Sequence, residues 1–436
     1  MQQLLSESVQ ASVRPHDCFD TYYADPKNSK VQCFPAVVEN RFVTGLPSLD
    51  FNSTATVTFN PDGAISDIIV SAVLNAPSVP SGGASAGEGL GLTRGWLYQL
   101  VDRISVRYAG SSLYFFGGEQ ELIECMSECE DSVKRDQLLQ LGGAELASPA
   151  DWASENLRSA SIYIKLPHNS PSAQEKPISF PTDVLSAPVQ IQVTWKPLSA
   201  VLLANATTGA SLAAVVASAP TRFASAQMQF KQAHLQDRSD SAAMTQDLST
   251  KALSIPLKNF MQTQFVAGLP AQAGPQQINL TGFRSGSVQG IFIWGIPSAT
   301  LTSAGAKQPA LYSPIKSAQL SVNGLVYFTS QGYSSQLLDL VERKTATAAS
   351  TTSLEWSSGN QTYTVAPASS SWLWIPFAQG VEVLRDESML SNGLGIANSV
   401  VNLSIDFGTN VAMTVYASYL YNCTILASGG SCDYVF

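Results

Sequence analysis

The hexapeptide FVTGLP at residues 42–47 returns as FVAGLP at residues 265–270, an offset of 223 positions (265 − 42). At the same offset, the apolar run ISDIIVSAV (Ile65–Val73) aligns with VQGIFIWGI (Val288–Ile296). Both runs are rich in β-branched and aromatic residues and are bounded by Gly or Pro, which is typical of buried strands. The repeat therefore extends beyond the hexapeptide and indicates that the chain consists of two similar halves.

Three further segments recur in the same order in both halves. The Ser-Val pairs of RISVRYAGSSLYFFGGE and AQLSVNGLVYFTSQG lie 216 positions apart (321 − 105), and their Tyr-Phe pairs lie 213 apart (327 − 114). IYIKLP matches WLWIPF with prolines 209 apart (376 − 167), and VQIQVTW matches VNLSIDF at 212 (401 − 189). Loops tolerate insertions that strands do not, so a drifting offset with a preserved order indicates a tandem duplication.

Each half contains about eight segments with the pattern of strands. In the first half we predict strands near residues 53–60, 65–74, 101–108, 112–117, 159–166, 178–185, 187–195 and 223–236. Eight antiparallel strands in about 200 residues fit a jelly roll. The predicted fold class is all-β, with two tandem eight-stranded antiparallel jelly rolls (a double jelly roll) and short helices in loops.

The predicted domains are an N-terminal arm (1–40), a first jelly roll (41–240) and a second jelly roll (241–436). We expect the two hexapeptides to lie just before or at the first strand of each roll, with Gly45 and Gly268 in equivalent turns. Helical spacing and good helix formers predict helices at Glu119–Leu141 and Ser334–Ala346. The stretch from Pro197 to Pro220 is predicted to be a loop or short helix.

The composition argues against several classes of protein. Charged residues make up 13% of the chain, whereas soluble domains average about 25%, which hints that neighbouring molecules cover much of the surface. The net charge is −9 and no basic tract is present, so a nucleic-acid groove is not expected. The opening residues lack the pattern of a signal peptide, and no apolar run approaches the ~18 residues of a membrane span.

The cysteines and the asparagine sequons supply a few candidate modification sites. Cys423 and Cys432 flank the segment TILASGGS and are a candidate disulfide, whereas Cys125 and Cys129 are interpreted as buried thiols. The candidate glycosylation sites are Asn205 and Asn360, which fall in predicted loops.

No catalytic, cofactor-binding or metal-binding residue is predicted. The three histidines do not form a zinc-binding pattern with the cysteines. The tripeptide DFG at 406–408 ends a strand without other kinase motifs, and GEGLGLTRG at 87–95 lacks the Gly-Lys-Ser/Thr end of a P-loop and is predicted to be a flexible loop. The acidic cluster within residues 119–131 is interpreted as the solvated face of a helix.

The ordered segments resemble the double jelly-roll major capsid proteins of large eukaryotic DNA viruses, virophages and polinton-like viruses. The resemblance covers roughly residues 40 to 436 and rests on the order of generic strand-and-turn patterns that occurs twice. Those patterns are LVDRISVRYAGSSLYFFGGEQEL, ending in Gly117-Gly118, SIYIKLPHNSPSAQEKPISFPTDVLSAPVQIQVTW, FKQAHLQDRSDSAAMTQ, LTGFRSGSVQGIFIWGIP and YNCTILASGGSCDYVF.

This resemblance implies a structural, non-enzymatic protein of an icosahedral virion, made in the infected host cell. It implies a homotrimer that forms a pseudo-hexagonal capsomer and contacts neighbouring capsomers, minor capsid proteins and penton proteins, without sequence-specific binding of nucleic acid. The N-terminal arm, with Leu4, Leu5 and Val9 at near-helical spacing, would lie on the inner face against an internal membrane, minor capsid proteins or an adjacent trimer.

Two other readings stay open at this stage. The first is a secreted jelly-roll protein that binds carbohydrate or hydrolyses glycosides, which would require a signal peptide, aromatic platforms and a close pair of carboxylates. The second is a minor capsid protein or spike of the same kind of virus.

Overall fold

The fold was analysed in a computed structural model. It describes residues 37–59, 64–108, 111–118, 132–164, 180–181, 188–235, 253–284, 286–297, 315–331, 354–358, 361–365, 372–377, 393–408, 410, 412–428 and 431–435. The predictions for Cys125, Cys129, the acidic cluster and the helix at Ser334–Ala346 lie outside these residues.

The strands of the first half run from residue 37 to residue 235. They are β1 (Val37–Gly45), β2 (Thr54–Phe59), β3 (Ala64–Leu74), β4 (Leu90–Gly91), β5 (Val101–Tyr108), β6 (Ser111–Phe116), β7 (Ser159–Ile164), β8 (Phe180–Pro181), β9 (Val189–Trp195), β10 (Leu203–Ala204) and β11 (Phe223–Leu235).

The strands of the second half run from residue 253 to residue 435. They are β12 (Leu253–Leu269), β13 (Gln276–Leu280), β14 (Ser287–Pro297), β15 (Ser317–Val322), β16 (Leu325–Gln331), β17 (Leu354–Ser358), β18 (Gln361–Val365), β19 (Trp372–Pro376), β20 (Leu394–Gly395), β21 (Val401–Asp406), β22 (Met413–Ser428) and β23 (Ser431–Val435).

Short helices lie in the connections of the first half. They are α1 (Trp96–Leu100), α2 (Ser132–Leu141), α3 (Pro149–Ala153) and α4 (Leu212–Ser218), together with a 3₁₀ turn at Leu198–Ala200. Helix α2 confirms the last part of the helix predicted at Glu119–Leu141, and α4 confirms a short helix between Pro197 and Pro220.

The two halves have the same sheet order. In the first half, one sheet has the order β1-β11-β3-β7, with β8 also paired to β3, and the other has the order β2-β9-β5-β6. In the second half, the corresponding orders are β12-β22-β14-β19, with β20 and β23 attached, and β13-β21-β15-β16. All of these pairings are antiparallel. For brevity, we call the first-named sheet of each half its B sheet and the second its C sheet.

Alternating side chains join the B and C sheets of each half through a core. Along β9, buried residues alternate with half-buried ones from Val189 to Trp195. Trp195 meets Phe223 of β11 edge to face at 4.8 Å between ring centroids, and Phe59 meets Phe230 in the same manner at 4.6 Å. These contacts link strands of opposite sheets, as expected for two packed layers whose inner faces are apolar.

The first strand of each half was not among the predicted segments. Strand β1 begins at Val37, so the B sheet extends four residues into the segment predicted as an arm, and β1 pairs with β11 throughout. Its centre carries Glu39, Asn40 and Arg41, which obscure the apolar alternation. Edge strands tolerate such residues, and β12, the other edge strand, likewise contains Pro256. Of the segment predicted at 178–185, the structure describes Phe180–Pro181 as the short strand β8.

The hexapeptides end these first strands, and the prediction that their glycines lie in turns is wrong. Gly45 pairs with Gln227 of β11, and Gly268 pairs with Thr414 of β22. The two glycines are therefore equivalent, as expected, but each belongs to a strand that continues to the turn after it.

Three long connections of the first half, β3–β5, β6–β7 and β9–β11, pack together at one end of its sheets. The β3–β5 connection meets the β6–β7 connection where the Trp152 indole N–H donates to the Leu90 carbonyl at 3.1 Å. Strand β4 pairs with β10 of the β9–β11 connection. Leu90 and Leu92 are fully buried, so the prediction of a flexible loop for GEGLGLTRG is wrong. Burial against Trp152 outweighs the conformational freedom of its glycines.

The C sheets of the two halves contain the same hairpin. A two-residue turn at Asn323-Gly324 joins β15 to β16, and both residues have positive φ, 51° and 83°, as a type I′ turn requires. Tyr327, the third residue after the turn, is a bulge between the pairs Leu320–Phe328 and Ser321–Val326. In the β5–β6 hairpin, Leu113 occupies the same bulge position.

Asn323 also fastens this turn to the start of β21. Its amide oxygen accepts from the Val400 N–H at 2.9 Å, and its amide nitrogen lies 3.1 Å from the Ser399 hydroxyl. The Asn323 N–H donates to the Val400 carbonyl at 2.8 Å. Asn tolerates the left-handed conformation better than most other residues with a side chain. Asn at position 323 therefore satisfies both the positive φ of the turn and the hydrogen bonds to β21.

We expect Asn323→Ala to lower the free energy of unfolding by about 1–2 kcal/mol, because Ala is strained at positive φ and makes neither side-chain bond. Asn323→Asp keeps the acceptor for the Val400 N–H and should cost least, with Asn323→Gly in between. Denaturant melts of the three variants measure the order; an Ala variant as stable as the parent protein would contradict it.

Gly118, the second glycine of the pair that ends the β5–β6 segment, allows a close approach of chains. A Cβ at this position would lie 2.0 Å from the Tyr98 carbonyl oxygen and 2.8 Å from Val101 Cβ. We predict that Gly118→Ala destabilises the protein by about 2–3 kcal/mol, since backbone must move to admit the methyl group. Gly45→Ala is the control, because a Cβ there meets nothing within 4 Å; the idea fails if both variants melt alike.

Candidate assembly surfaces

The B sheet of the second half is buried on its inner face and over part of its outer face, where Phe265 of the edge strand β12 is 60% exposed. On the inner face, Ile291 and Ile293 of β14 are fully buried, as an alternating strand requires. On the outer face, Phe292 and Trp294 of the same strand are each only 2% exposed. Leu420 of β22, whose position in the alternation also places it on the outer face, is fully buried as well.

An aromatic row crosses this outer face. Register places Phe265 of β12, Tyr416 of β22, Trp294 of β14 and Trp372 of β19 opposite one another. The Trp294 and Tyr416 rings stack at 5.8 Å with 16° between their planes. Phe265 meets Tyr416 edge to face at 6.2 Å.

The B sheet of the first half has an outer face of different chemistry. Its rows read Val43, Gln229, Ile69, Tyr163 and then Gly45, Gln227, Ser71, Ser161 across β1, β11, β3 and β7. None of these residues is charged. Val43 is 60% exposed, and the other side chains of the two rows, from Gln229 to Ser161, are half-buried. These two rows are uncharged and partly open in the single chain, and the next row along the same face pairs Arg41 with Lys231.

Exposed apolar side chains gather at the turn of the β15–β16 hairpin. Leu325, Val326 and Tyr327 are between 52% and 68% exposed, and Val400, held beside the turn by Asn323, is 58% exposed. Single exposed apolar residues are ordinary, but three in succession on a strand, with a fourth beside them, are typical of an interaction surface.

The two halves approach each other through edge strands. Strand β6 is the last strand of the first half's C sheet, and β12 is the first strand of the second half's B sheet. Their Cα atoms come within 8 Å of one another.

The register does not allow the predicted disulfide between Cys423 and Cys432. Strands β22 and β23 pair so that Cys432 lies opposite Ala427, four residues along β22 from Cys423. Four residues of strand span about 13 Å, whereas a disulfide needs Cα atoms within about 7 Å. Their spacing in sequence suggests the two ends of one loop, but the two cysteines lie at different heights along the β22–β23 hairpin.

The other predicted site residues are not brought together. Asn205 is 4% exposed. Its backbone N–H donates to the Gly89 carbonyl, which places it within the packed connections. This burial argues against a sugar at this position in the folded chain. Asn360 and the arm residues Leu4, Leu5 and Val9 lie outside the described residues.

The carboxylate of Asp406, in the DFG tripeptide, contacts neighbouring residues of the fold. One carboxylate oxygen accepts from the Gly408 N–H at 2.7 Å, and the other lies 3.7 Å from Lys316 Nζ. The carboxylate therefore closes the turn that follows β21.

Two described ionisable groups have raised pKa values, each mainly through burial. Burial raises the pKa of Glu145, and the nearby Arg94 guanidinium opposes the rise. Burial also raises the pKa of the Tyr421 hydroxyl, which accepts from the Arg284 N–H at 3.0 Å. The packing around each group therefore accounts for its raised pKa.

Among the described residues, no group of three or more His, Cys, Asp or Glu is placed to bind a metal ion. No helix in the described ranges has the length and apolar character needed to cross a membrane.

Similarity to known proteins appears at the level of structure. No protein-family model matches the chain, and no curated protein matches its sequence. PBCV-1 VP54, as fitted into a cryo-EM reconstruction of the virophage Sputnik, has a TM-score of 0.60 at 11% identity, over 94% of this chain and 99% of that chain. The Sputnik virophage structure gives 0.56 at 10% identity, over 94% and 92%.

The Faustovirus major capsid protein also aligns along its length. Its TM-score is 0.54 at 10% identity, and the alignment covers 92% of each chain. The similarity thus spans both halves of the chain rather than one sheet or one half. The chain has the fold of double jelly-roll major capsid proteins, which confirms the resemblance seen in its sequence.

Proposed function

We propose that this protein is the major capsid protein of an icosahedral double-stranded DNA virus, and that three copies form a pseudo-hexagonal capsomer. The observation that supports this most is the coverage of the structural match, 94% of this chain and 99% of the compared capsid chain. A shared single sheet would be compatible with many functions. A shared pair of repeated halves over the full length narrows the proposal to proteins that use both halves together.

In this proposal, each half is a complete jelly roll of eight antiparallel strands. The support is the repeated order of two four-strand paths in each half. Three chains then contribute six similar rolls, and a ring of six is the block that tiles a hexagonal lattice. The sequence division into 1–40, 41–240 and 241–436 is kept as the proposed domain organisation, with β1 starting at Val37.

The proposed role is structural and involves no catalysis. The partners are two further copies in the capsomer, neighbouring capsomers, and minor capsid and penton proteins, all within the virion shell. The low content of charged residues, 13%, suits a protein whose walls are covered by like neighbours. The comparisons do not favour the secreted carbohydrate-binding or glycosidase alternative.

The N-terminal arm, with Leu4, Leu5 and Val9, is proposed to contact the inner side of the shell. Strand β1 starts at the same end of the first B sheet where β11 ends, since Val37 pairs with Leu235. The arm and the connection between the halves therefore leave that sheet at one end, opposite the packed long connections. This separation is the support for placing the arm on one side of a capsomer.

We expect the recombinant protein to form a species of three times the chain mass of 46.4 kDa, measured by sedimentation or light scattering. Negative-stain images should show hexagonal blocks with threefold symmetry. A protein that stays monomeric at micromolar concentrations and in images would argue against the capsomer.

Replacing Leu4, Leu5 and Val9 together by Ser should leave the trimer mass unchanged and reduce the association of trimers into larger arrays, because the arm would act between capsomers or beneath them. Light scattering under assembly conditions compares the variant with the parent protein. Dissociation of the trimer itself would instead place the arm within the capsomer.

A further inference from the structure

The chain contains two Asn-Gly pairs, Asn323-Gly324 and Asn392-Gly393, and each is followed by leucine. In an Asn-Gly pair the asparagine amide is lost readily, because glycine has no Cβ to shield its backbone nitrogen from the preceding side chain. Identical tripeptides are expected to react at similar rates when the chain is unfolded. The structure describes the first pair completely, whereas Asn392 lies outside the described residues.

Loss of the amide is an intramolecular substitution followed by a hydrolysis. The backbone nitrogen of Gly324 attacks Cγ of Asn323, a succinimide ring forms, and the side-chain nitrogen leaves as ammonia with the proton that the glycine nitrogen gives up. Water then opens the ring. Opening at the former side-chain carbonyl gives aspartate, whereas opening at the main-chain carbonyl gives isoaspartate, whose main chain is longer by a methylene group.

In the folded chain, both ends of the Asn323 amide are held by the segment that leads into β21. Its Oδ1 accepts from the Val400 N–H at 2.9 Å, and its Nδ2 donates to the Ser399 hydroxyl at 3.1 Å. The Asn323 N–H donates to the Val400 carbonyl at 2.8 Å, which fixes the backbone that carries the side chain. Cγ can reach the Gly324 nitrogen only after the amide has turned away from these partners, so the contacts keep the reacting atoms apart.

The turn is otherwise open to the reaction. Asn323 and Gly324 are exposed, so water reaches both. A Cβ placed on Gly324 would meet nothing within 4 Å, which leaves free space beside the turn. Hydrogen bonds to the β21 segment, rather than burial, therefore oppose the reaction at this position.

The first half has a different residue at the equivalent turn. The hairpin offset of 214 aligns Asn323-Gly324 with Ala109-Gly110 (323 − 214 = 109). The glycine is common to both turns, but alanine has no amide to lose. The reactive pair is therefore specific to the second half and is not dictated by the repeated hairpin.

We propose that Asn323-Gly324 is a conditional deamidation site, closed while Ser399 and Val400 hold the amide and open in any chain whose β15–β16 hairpin has separated from β21. Modification then records the time that a chain has spent in the open state. This inference does not depend on the proposed capsomer.

The two products differ in their effect on the hairpin. Aspartate at position 323 keeps the acceptor for the Val400 N–H, so the turn can close again. Isoaspartate lengthens the main chain between Val322 and Leu325, whose pairing a two-residue turn sets. The hairpin then cannot re-form in register, and a chain modified in this way is excluded from the folded population.

Peptide mapping by mass spectrometry of the full chain, incubated at mildly alkaline pH with and without denaturant, measures amide loss at both Asn-Gly pairs. In denaturant, the two pairs should react at similar rates, and Asn392 serves as the internal reference. In the folded protein, Asn323 should react at least about tenfold more slowly than in denaturant, because its hydrogen bonds must break before the ring closes. Equal rates at Asn323 under the two conditions would overturn the proposal.

Variants test which contacts close the site. Ser399→Ala removes the acceptor of Nδ2 and should raise the folded-state rate at Asn323 about two- to tenfold, the range expected for one neutral hydrogen bond. Val400→Pro removes the N–H that Oδ1 accepts from and should raise the rate further. Ser404→Ala, within β21, is the matched control and should leave the rate unchanged.

Thermal melts of these variants check folding. If Val400→Pro is unfolded, Ser399→Ala alone decides, since it removes a single hydroxyl; a folded Ser399→Ala protein that reacts as slowly as the parent protein would contradict the proposed closure. Refolding of chains deamidated in denaturant tests the products: isoaspartate at position 323 should be depleted from the folded fraction and aspartate retained. Equal recovery of the two products would show that the longer turn is tolerated and would overturn the exclusion of isoaspartate chains.

Discussion

The fold depends on the need of two half-apolar sheets to cover each other. Strand β9 alternates between the core and the outside, and an alternating strand is stable only when its apolar face meets a second layer. In each half the B and C sheets supply that layer, and cross-sheet pairs such as Trp195 with Phe223 hold them together. Outer faces are then free to differ, and it is on the outer faces that the two halves diverge.

Much of this fold could be predicted from the sequence because buried strands keep their pattern. Strands β3 and β14 start and end 223 positions apart (287 − 64 and 297 − 74), the offset that the hexapeptides indicated. The offset of 212 between β9 and β21 is also confirmed, since Ile191 and Leu403 face the equivalent residues Val106 and Leu320. Apolar alternation carries register wherever one face is buried.

For the hairpins and for β7 and β19, the offsets taken from matching residues in the sequence differ from those of the structure. The hairpins correspond at a single offset of 214 (327 − 113), fixed by their turns and bulges, whereas identical letters indicated 216 and 213. Ile164 and Ile375 face the equivalent residues Ile68 and Ile291, which gives 211 (375 − 164) rather than 209. The offsets of 216 and 209 are each in error by two residues, a slip that preserves the alternation and that the side-chain pattern alone does not detect. The offset of 213 is in error by one residue, beside the bulge of each hairpin.

The candidate surfaces were less visible in the sequence. Spacing made Cys423 and Cys432 look like the ends of one loop, but strand register separates them. The sequence places Asn205 in a loop, yet it is buried where the β9–β11 connection packs against the β3–β5 connection. The segment that holds Leu325 and Val326 has the pattern of an ordinary strand, because a sequence does not show which strand edge other elements leave uncovered. Tertiary packing decides each of these cases.

The position of the long connections bears on how such a protein can change in length. In the first half three of them leave one end of the sheets and pack against one another through Trp152, Leu90 and the β4–β10 pair. The opposite end holds the two-residue β5–β6 connection, the start of β1 and the β7–β9 connection, which contains β8. Residues inserted into the three packed connections would lengthen the molecule at their end of the sheets, while the strand register stays intact. Insertions there would extend the molecule beyond the end of the sheets that lies away from the start of β1.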